Sequence, residues 1–478
     1  MTLRIFLGIL ALTVYANTYA TTWQVGATRT YKSPSKVMSL VASGDTVAID
    51  SGLYSGDVGN WTKDNLVIRC TVGYAHLDAK GQSAGGKAIW VVQGKNTYIE
   101  GIEFSGATVP DMNGAGIRQE GIGLELRRCY FHDNQDGVLA GDNATSDILF
   151  EACEFARNGA GDGYSHNMYI NHVHSFTLKF CYVHEAKVGH NVKSRAYNTY
   201  ILYNRIIDAE TGTASYDIDL PNGGRAIVMG NSIMKGPKAQ NKMLVNYGAE
   251  GLSNPDTELY VINNTMLTEL GNTTFVRIAT GTPLARVMNN IFAGAGTLIS
   301  GTADTATNIY SADTTFFHFQ DVKQYDYRPS AQTPGMPYAS TAGSTKGFAL
   351  TPNDVYVHPL DSGKRGDLIP AGIGAYQTIP KNGVGRTNDL ATANAINIPN
   401  PFDRLTEIIL QTATPSQSVM LQIFDERGAM LEGRMLHVQN NRVRFERENI
   451  SSGIYLYTVH SLAGVELARG RFVIQNER

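Results

Sequence analysis

The chain has 478 residues, 49 glycines and only 17% charged residues, so we expect two or more domains built from short strands and tight turns. The formal net charge is -3 and no run of lysines and arginines occurs, which argues against nucleic acid or acidic membrane as a partner. A polyanionic substrate is compatible with this composition, because local charge decides such binding.

The start of the chain, from Met1 to Ala20, has the pattern of a secretory signal peptide. Arg4 precedes an apolar run from Ile5 to Val14, and small or polar residues follow up to Ala20. This segment is too short to span a membrane as a helix of the mature protein. We therefore expect an exported monomer without a transmembrane segment.

The opening rungs of a coil run from about Thr22 to Leu66, and from Leu66 onward one sequence unit occurs nine times, each copy alternating apolar and polar residues as a strand does. Its aligned position recurs at similar intervals, at Cys70, Ile102, Cys129, Cys153, Cys181, Asn204, Asn231, Asn264 and Asn290. The interval is the length of one circuit of a parallel β-helix with variable loops. The sequence thus predicts an all-β fold, with a right-handed parallel β-helix over residues 22–379.

The aligned position also predicts two ladders of identical side chains. Stacked rungs place equivalent residues about 4.8 Å apart. The four cysteines then form an interior stack of thiols, which continues as a stack of asparagines whose amides hydrogen-bond to one another. The alternatives for the cysteines are disulfides or metal binding, but no CxxC pair occurs.

Beyond the coil we predict a polar linker at residues 380–395 and a small β-sandwich at residues 396–478. The tail contains the segments Pro399-Asn400-Pro401-Phe402, Asp425-Glu426-Arg427-Gly428 and Ser452-Gly453-Ile454-Tyr455. It resembles the type A C-terminal sorting domain of the type IX secretion system. The resemblance implies a Bacteroidetes bacterium, the type IX machinery as a partner, and export through the periplasm and across the outer membrane. The protein would be secreted or held on the cell surface. A carbohydrate-binding sandwich is the alternative.

Three successive rungs carry polar residues on what we predict to be equivalent strands. If Met168, Val192 and Ile218 point inward, their neighbours point outward. The predicted outer columns are Asn167, Asn191 and Asp217; Tyr169, Lys193 and Asp219; and Asn171, Arg195 and Pro221. Amides, hydroxyls and a cation suit a chain of acidic sugars. The predicted substrate contacts are Asn167, Asn191, Asn171, His166 and Arg225.

Several chemistries are compatible with this grid. In β-elimination a cation neutralises a uronate, a base removes the adjacent proton and an acid protonates the leaving oxygen. Lys193 or Tyr169 would be base or acid, and Arg195 would bind the carboxylate. A glycoside hydrolase would instead use Asp217 and Asp219 as its two carboxylates, and a uronate epimerase would share the proton abstraction. A non-catalytic binding or structural coil, with Lys193 and Asp219 as a salt bridge, is the other alternative.

The segment Val192-Lys193-Ser194, together with Gly230-Asn231, resembles the alginate lyases and chondroitinase-B-like polysaccharide lyases of the pectate-lyase-like superfamily. The resemblance implies that Lys193 is the base of a lyase acting on an acidic polysaccharide. Pro221 stands where this family has an arginine, so Arg195 and Arg225 are the candidate substitutes. Calcium often neutralises the uronate in the family, and the candidate calcium positions are residues 208–210 and Asp162.

Five of the eleven histidines lie close together in the sequence, at His166, His172, His174, His184 and His190. We expect His166 and His190 to form a structural ladder beside Tyr216. Catalysis by His190 is the alternative. No HExxH motif or comparable spacing occurs, so we predict no metal ligands among these five histidines.

Overall fold

The computed structural model describes residues 20–330, 332–333, 336, 338–366, 372–376, 396–410, 418–425, 430–448, 450–461 and 466–475. The segment 1–19, the linker at 380–395 and positions 426–428 of the sorting motif lie outside these ranges. The signal peptide, the sorting domain and the domain boundaries therefore stay predictions. No helix within the described ranges has the length and apolar character needed to cross a membrane.

The all-β parallel β-helix is confirmed, because the chain coils through three parallel sheets in a fixed order on every turn. The first sheet contains Thr22–Val25, Thr46–Ile49, Val67–Arg69, Thr97–Glu100, Leu124–Arg127, Asn143–Glu151, Val173–Lys179, Asn198–Leu202, Arg225–Met229, Glu258–Ile262, Leu284–Met288 and Asp304–Ala306. The second sheet contains Gly52–Leu53, Ala75–Asp78, Ile102–Ser105, Tyr130–His132, Glu154–Ala156, Tyr182–His184, Arg205–Ile207, Ser232–Lys235, Thr265–Thr268, Ile291–Ala293 and Ile309–Ser311. The third sheet contains Gly59–Trp61, Ala88–Val92, Ala115–Gln119, Asp136–Ala140, Met168–Ile170, Val192–Ser194, Ile218–Leu220, Met243–Tyr247, Thr273–Ile278 and Gly296–Ser300.

Alternation along each strand fills the inside of the coil with apolar side chains. Successive rungs stack like on like, as in the rings of Phe104, Phe131 and Phe155, whose centroids are 4.8 and 4.9 Å apart. Such contacts bury apolar area between every pair of rungs, so each turn of the coil is stabilised by the turns on either side.

The cysteine and asparagine ladders are confirmed, at the turn from the first sheet to the second. The four cysteines are free and buried, and the backbone N–H of Cys153 donates to Sγ of Cys181 at 3.4 Å. The N–H of Cys181 then donates to Oδ1 of Asn204 at 2.9 Å. From there each amide donates to the next one at 3.0 Å, through Asn231, Asn264, Asn290 and Asn308. The ladder thus satisfies buried backbone groups that the turn leaves without a partner in a sheet.

After the last coil, the chain packs back against the first and second sheets. This segment contains two 3-10 helices, Thr314–Phe317 and Val322–Gln324. A third 3-10 helix among the described residues, Pro34–Lys36, lies near the start of the coil. Three hairpins pair Phe319–Asp321 with Asp326–Pro329, Ser344–Thr345 with Phe348–Ala349, and Asp354–Val357 with Asp361–Lys364. Phe317 and Tyr327 belong to one apolar cluster with Ile207 of the second sheet, and Leu350 belongs to another with Ile227 of the first. The returning chain thus covers parts of the first and second sheets, whereas the outer face of the third sheet carries polar side chains.

The C-terminal residues form a separate antiparallel sheet of seven strands around their own apolar core. In spatial order the strands are Ile396–Ile398, Leu405–Ile409, Arg442–Glu446, Met430–Gln439, Ser418–Phe424, Gly453–Ser461 and Glu466–Ile474. Phe402 and Phe472 belong to this core, with ring centroids 5.3 Å apart.

Candidate functional site

One column of outward-pointing side chains runs along the third sheet. Parallel pairing aligns Arg118, Leu139, Tyr169, Lys193, Asp219, Asn246, Arg277 and Ser300 on consecutive strands. We call the run from Tyr169 to Arg277 the polar column. It confirms the predicted alignment of Tyr169, Lys193 and Asp219 and extends it by two rungs.

Asp219 is held by its neighbours in the polar column rather than by an ion pair with lysine. Its Oδ1 accepts a hydrogen bond from Nδ2 of Asn246 at 2.6 Å, and Arg277 Nη1 donates to Oδ1 of the same Asn246 at 3.0 Å. Oδ2 of Asp219 lies 3.5 Å from Nε2 of His190. Burial raises the pKa of Asp219 to about 6, against the opposing effects of the Asn246 hydrogen bond and the charge of Lys193.

Lys193 is half-buried, with Nζ 5.2 Å from the ring centroid of Tyr169. Among the residues that the structure describes, Nζ has no hydrogen-bond or ion-pair partner. Burial lowers the pKa of Lys193, and the attraction of Asp219 opposes this without cancelling it. The salt bridge between Lys193 and Asp219, the alternative that the sequence left open, is not among the ion pairs of the described residues. The attraction of Asp219 does raise the pKa of Lys193, but the loss of solvation outweighs it.

Arg195 orients Tyr169 from the neighbouring position on the sheet. Its Nε donates to Oη of Tyr169 at 2.8 Å, so the phenol proton is free to be donated elsewhere. Nη1 of Arg195 lies 2.7 Å from Oε2 of Glu250 and also donates to Asn222. These contacts hold the guanidinium beside the polar column, with Cζ of Arg195 5.7 Å from the ring centroid of Tyr169.

The two predicted ladder histidines lie beside Tyr169 and Asp219 of the polar column and confirm the structural ladder. The rings of His166 and His190 stack with centroids 4.5 Å apart. Nδ1 of His166 accepts from the N–H of His190 at 3.0 Å, and Nδ1 of His190 accepts from the N–H of Tyr216 at 3.3 Å. The remaining proton of each ring is thereby assigned to Nε2. Burial lowers the pKa of His166 to about 3 and that of His190 well below its ordinary value, so both rings are neutral.

The prediction that Asn167, Asn191 and Asp217 point outward is wrong, since all three side chains are fully buried. Each residue immediately precedes a strand of the third sheet, where the chain turns a corner and strand alternation has not begun. Their side chains therefore enter the coil. Nδ2 of Asn167 donates to Asn191 at 2.9 Å, and Nδ2 of Asn191 donates to Asp217 at 3.1 Å. These residues cannot contact a polysaccharide, and a hydrolase pairing Asp217 with Asp219 is excluded.

This second interior ladder ends in a buried ion cluster. Nζ of Lys235 lies 3.1 Å from Oδ2 of Asp208 and 3.2 Å from Oδ1 of Asp217, and all three side chains are 0% exposed. Of the predicted calcium position at residues 208–210, the Asp208 carboxylate is therefore not available to an ion, because lysine occupies the space beside it. Asp162, the other predicted position, caps its own turn by accepting from the N–H groups of Tyr164 and Ser165.

Two further predicted contacts lie elsewhere. Arg225 belongs to the first sheet, where it donates to Asn198 at 2.6 Å, so its predicted role at the site is wrong. His166 is buried, with its ring stacked on that of His190, which excludes the predicted contact with substrate. Asn171 borders the polar column, half-buried at the end of its strand.

Sequence reasoning missed Asn246, Arg277, Glu250 and Asn222. The first two could have been found from the strand pattern. Val245-Asn246-Tyr247 and Val276-Arg277-Ile278 each place one polar residue between two apolar residues, as Ile218-Asp219-Leu220 does. Glu250 and Asn222 lie on loops, and only the folded chain brings them to Arg195.

No protein-family model matches the chain, and no curated protein matches it. Among solved structures, the chain is similar to the crystal structure of pectate lyase Pel9A, with a TM-score of 0.41 and 12% sequence identity. That similarity covers 75% of this chain and 96% of the pectate lyase chain.

Proposed function

We propose that this protein is a polysaccharide lyase that cleaves a uronate-containing polysaccharide by β-elimination on the outer face of the third sheet, with Lys193 as the base. The proposal rests on one observation. Lys193 is half-buried on an open polar face, its pKa is lowered, and among the described residues its amine has no hydrogen-bond or ion-pair partner. A base needs a neutral amine near neutral pH, and burial moves a lysine toward that state.

The neighbours of Lys193 fit the remaining steps. The guanidinium of Arg195 would attract the uronate carboxylate and so acidify the adjacent C–H. Lys193 would take that proton, a carbon–carbon double bond would form, and the glycosidic C–O bond would break. Tyr169, whose oxygen already accepts from Arg195, would donate its proton to the departing oxygen. Each proton lost by the sugar or gained by the leaving group thus has a named partner.

A calcium ion fits this face poorly. Calcium takes six to eight oxygen ligands, several of them carboxylates. Along the described polar column the acidic side chain is Asp219, and the nearby Glu250 is already paired with Arg195. We therefore assign neutralisation of the uronate to arginine and derive no step through calcium.

The direct test is the class of product formed by the full chain on alginate, pectate, glucuronan and glycosaminoglycans, each with calcium or with a chelator. We expect ultraviolet absorbance from the unsaturated ends, together with new reducing ends, on at least one polymer and in both conditions. New reducing ends without absorbance would show hydrolysis instead. The absence of both products on every polymer would favour a binding or structural coil.

The pH dependence gives a second test, through Asp219→Asn. The negative charge of Asp219 raises the pKa of Lys193, so its removal should lower that pKa further. The amine then loses its proton at lower pH, and the rising limb of kcat/KM should move to lower pH. The measurement is a pH–rate profile of both proteins on the same polymer.

Glu250→Gln is the control for this shift. Glu250 also raises the pKa of Lys193 but its side chain is 50% exposed, so water screens its charge and the shift should be smaller. Loss of activity at every pH in Asp219→Asn would contradict the assigned role, because it would place Asp219 in the reaction itself.

A further inference from the structure

A second cluster of titratable side chains lies on the outer face of the second sheet, away from the polar column. His76, Glu103 and His132 come from the consecutive strands Ala75–Asp78, Ile102–Ser105 and Tyr130–His132. Their three nearest donor atoms all lie within 4.8 Å of one another, and the three side chains are half-buried. The cluster therefore joins three turns of the coil.

The separations between the donor atoms suit a small divalent ion. Nε2 of His132 lies 3.0 Å from Oε1 of Glu103, and Nδ1 of His76 lies 3.6 Å from the same oxygen. Ligand bonds of about 2.0–2.1 Å at tetrahedral angles put neighbouring donor atoms about 3.3 Å apart. Two imidazole nitrogens and one carboxylate oxygen are also a donor set that first-row transition metals prefer over calcium or magnesium.

Each imidazole has a second partner that directs its other nitrogen into the cluster. Nε2 of His76 lies 2.7 Å from Oγ of Ser105, and Nδ1 of His132 lies 2.9 Å from Oδ2 of Asp133. Asp133 is in turn held by Arg157 at 2.9 Å and Lys187 at 3.2 Å, so it is a fixed acceptor. With the ring protons on these outer nitrogens, the lone pairs of His76 Nδ1 and His132 Nε2 face the Glu103 carboxylate. An outer carboxylate on a ligating histidine is a recurring feature of metal sites.

We propose that His76, Glu103 and His132 bind one divalent transition-metal ion of the zinc class. The protein supplies three ligands, and since the side chains are partly exposed, water completes the coordination. The bound ion links three rungs at the N-terminal part of the coil and stabilises them against separation. This role is independent of the lyase proposal.

The proposal is tested with zinc alone on the full chain after treatment with a chelator. We expect calorimetric titration to give one zinc per chain, and thermal unfolding to shift upward by several degrees when zinc is added. His132→Ala and Glu103→Gln should each weaken zinc binding at least tenfold and abolish the thermal shift. Because Glu103→Gln keeps the shape of the side chain, it tests the ligand without a change in packing.

His174→Ala is the matched control, since Nδ1 of His174 pairs with Asp147 at 2.7 Å on the exposed surface and no third ligand group from the described residues joins them. This variant should bind zinc as the parent does. Equal zinc binding by Glu103→Gln and the parent would overturn the proposal. A lower unfolding temperature for His132→Ala, together with no response of the parent to zinc, would also overturn it, because His132 would then act only as a hydrogen-bonded bridge between Glu103 and Asp133.

Discussion

Lys193→Ala is expected to lower kcat/KM for the elimination reaction by about 10²- to 10⁴-fold, the range contributed by a positioned general base. The side chain lies on the outer face, so its truncation removes the base without opening a cavity in the core. Initial rates of ultraviolet absorbance on the best polymer measure the loss, and thermal unfolding of the variant checks that the fold is kept.

Two further variants serve as controls for this result, Lys193→Arg at the same position and Arg225→Ala on another sheet. A guanidinium stays protonated at any working pH, so Lys193→Arg should keep the positive charge and still be inactive. Arg225 lies on the first sheet, and its replacement should leave the rate within about twofold, since it touches none of the reacting groups. Activity of Lys193→Ala within tenfold of the parent would rule out this lysine as the base.

Lys235→Met is expected to destabilise the coil by about 3–5 kcal/mol, the usual cost of removing one partner from a buried ion cluster. The change leaves Asp208 and Asp217 enclosed without a cation. Burial already raises the pKa of Asp217 well above its ordinary value, and the charge of Asp208 adds to this, whereas Lys235 opposes it. When folding raises the pKa of a carboxyl group, the free energy of unfolding of the protein falls as pH rises through that pKa. The defect should therefore be larger at neutral pH than at acidic pH.

Denaturant midpoints of the parent and the variant at two pH values measure this effect. Replacing Asp208 and Asp217 by asparagine in the Lys235→Met background should recover part of the lost stability, because no buried charge then stays unpaired. Lys179→Met is the comparison at the surface, where the pair with Glu151 is partly solvated and its loss should cost less than about 1 kcal/mol. A similar small cost for Lys235→Met would show that water reaches the cluster.

The strand pattern predicts the coil and the outward alignment of Tyr169, Lys193 and Asp219, because alternation with period 2 assigns faces within a strand. It fails one residue before the strand begins. Alternation with period 2 places three residues on the outward side, namely Asn167, Asn191 and Asp217. The chain turns a corner at these positions, however, and their side chains point inward. Side-chain direction at a corner depends on backbone geometry that the alternation does not contain.

Contacts between residues far apart in the sequence are the second feature of the site that the strand pattern does not predict. The pKa of Lys193 depends on how far loops and neighbouring rungs exclude water, and Glu250 reaches Arg195 from a loop. His76, Glu103 and His132 lie on successive strands of the second sheet, so the intervals between them have the length of a rung and not of any metal-binding motif. The strand register is needed before these three residues can be placed on one surface.

Burial shields the four thiols of the folded chain from oxidants. Burial raises the pKa of the Cys129 and Cys153 thiols well above the ordinary value, which suppresses the reactive thiolate. An unfolded or partly coiled chain instead exposes four cysteines that can cross-link to one another or to other chains. In an oxidising medium, rapid completion of the coil therefore protects the protein from disulfide-linked aggregation, and slow-folding variants should be lost preferentially by this route.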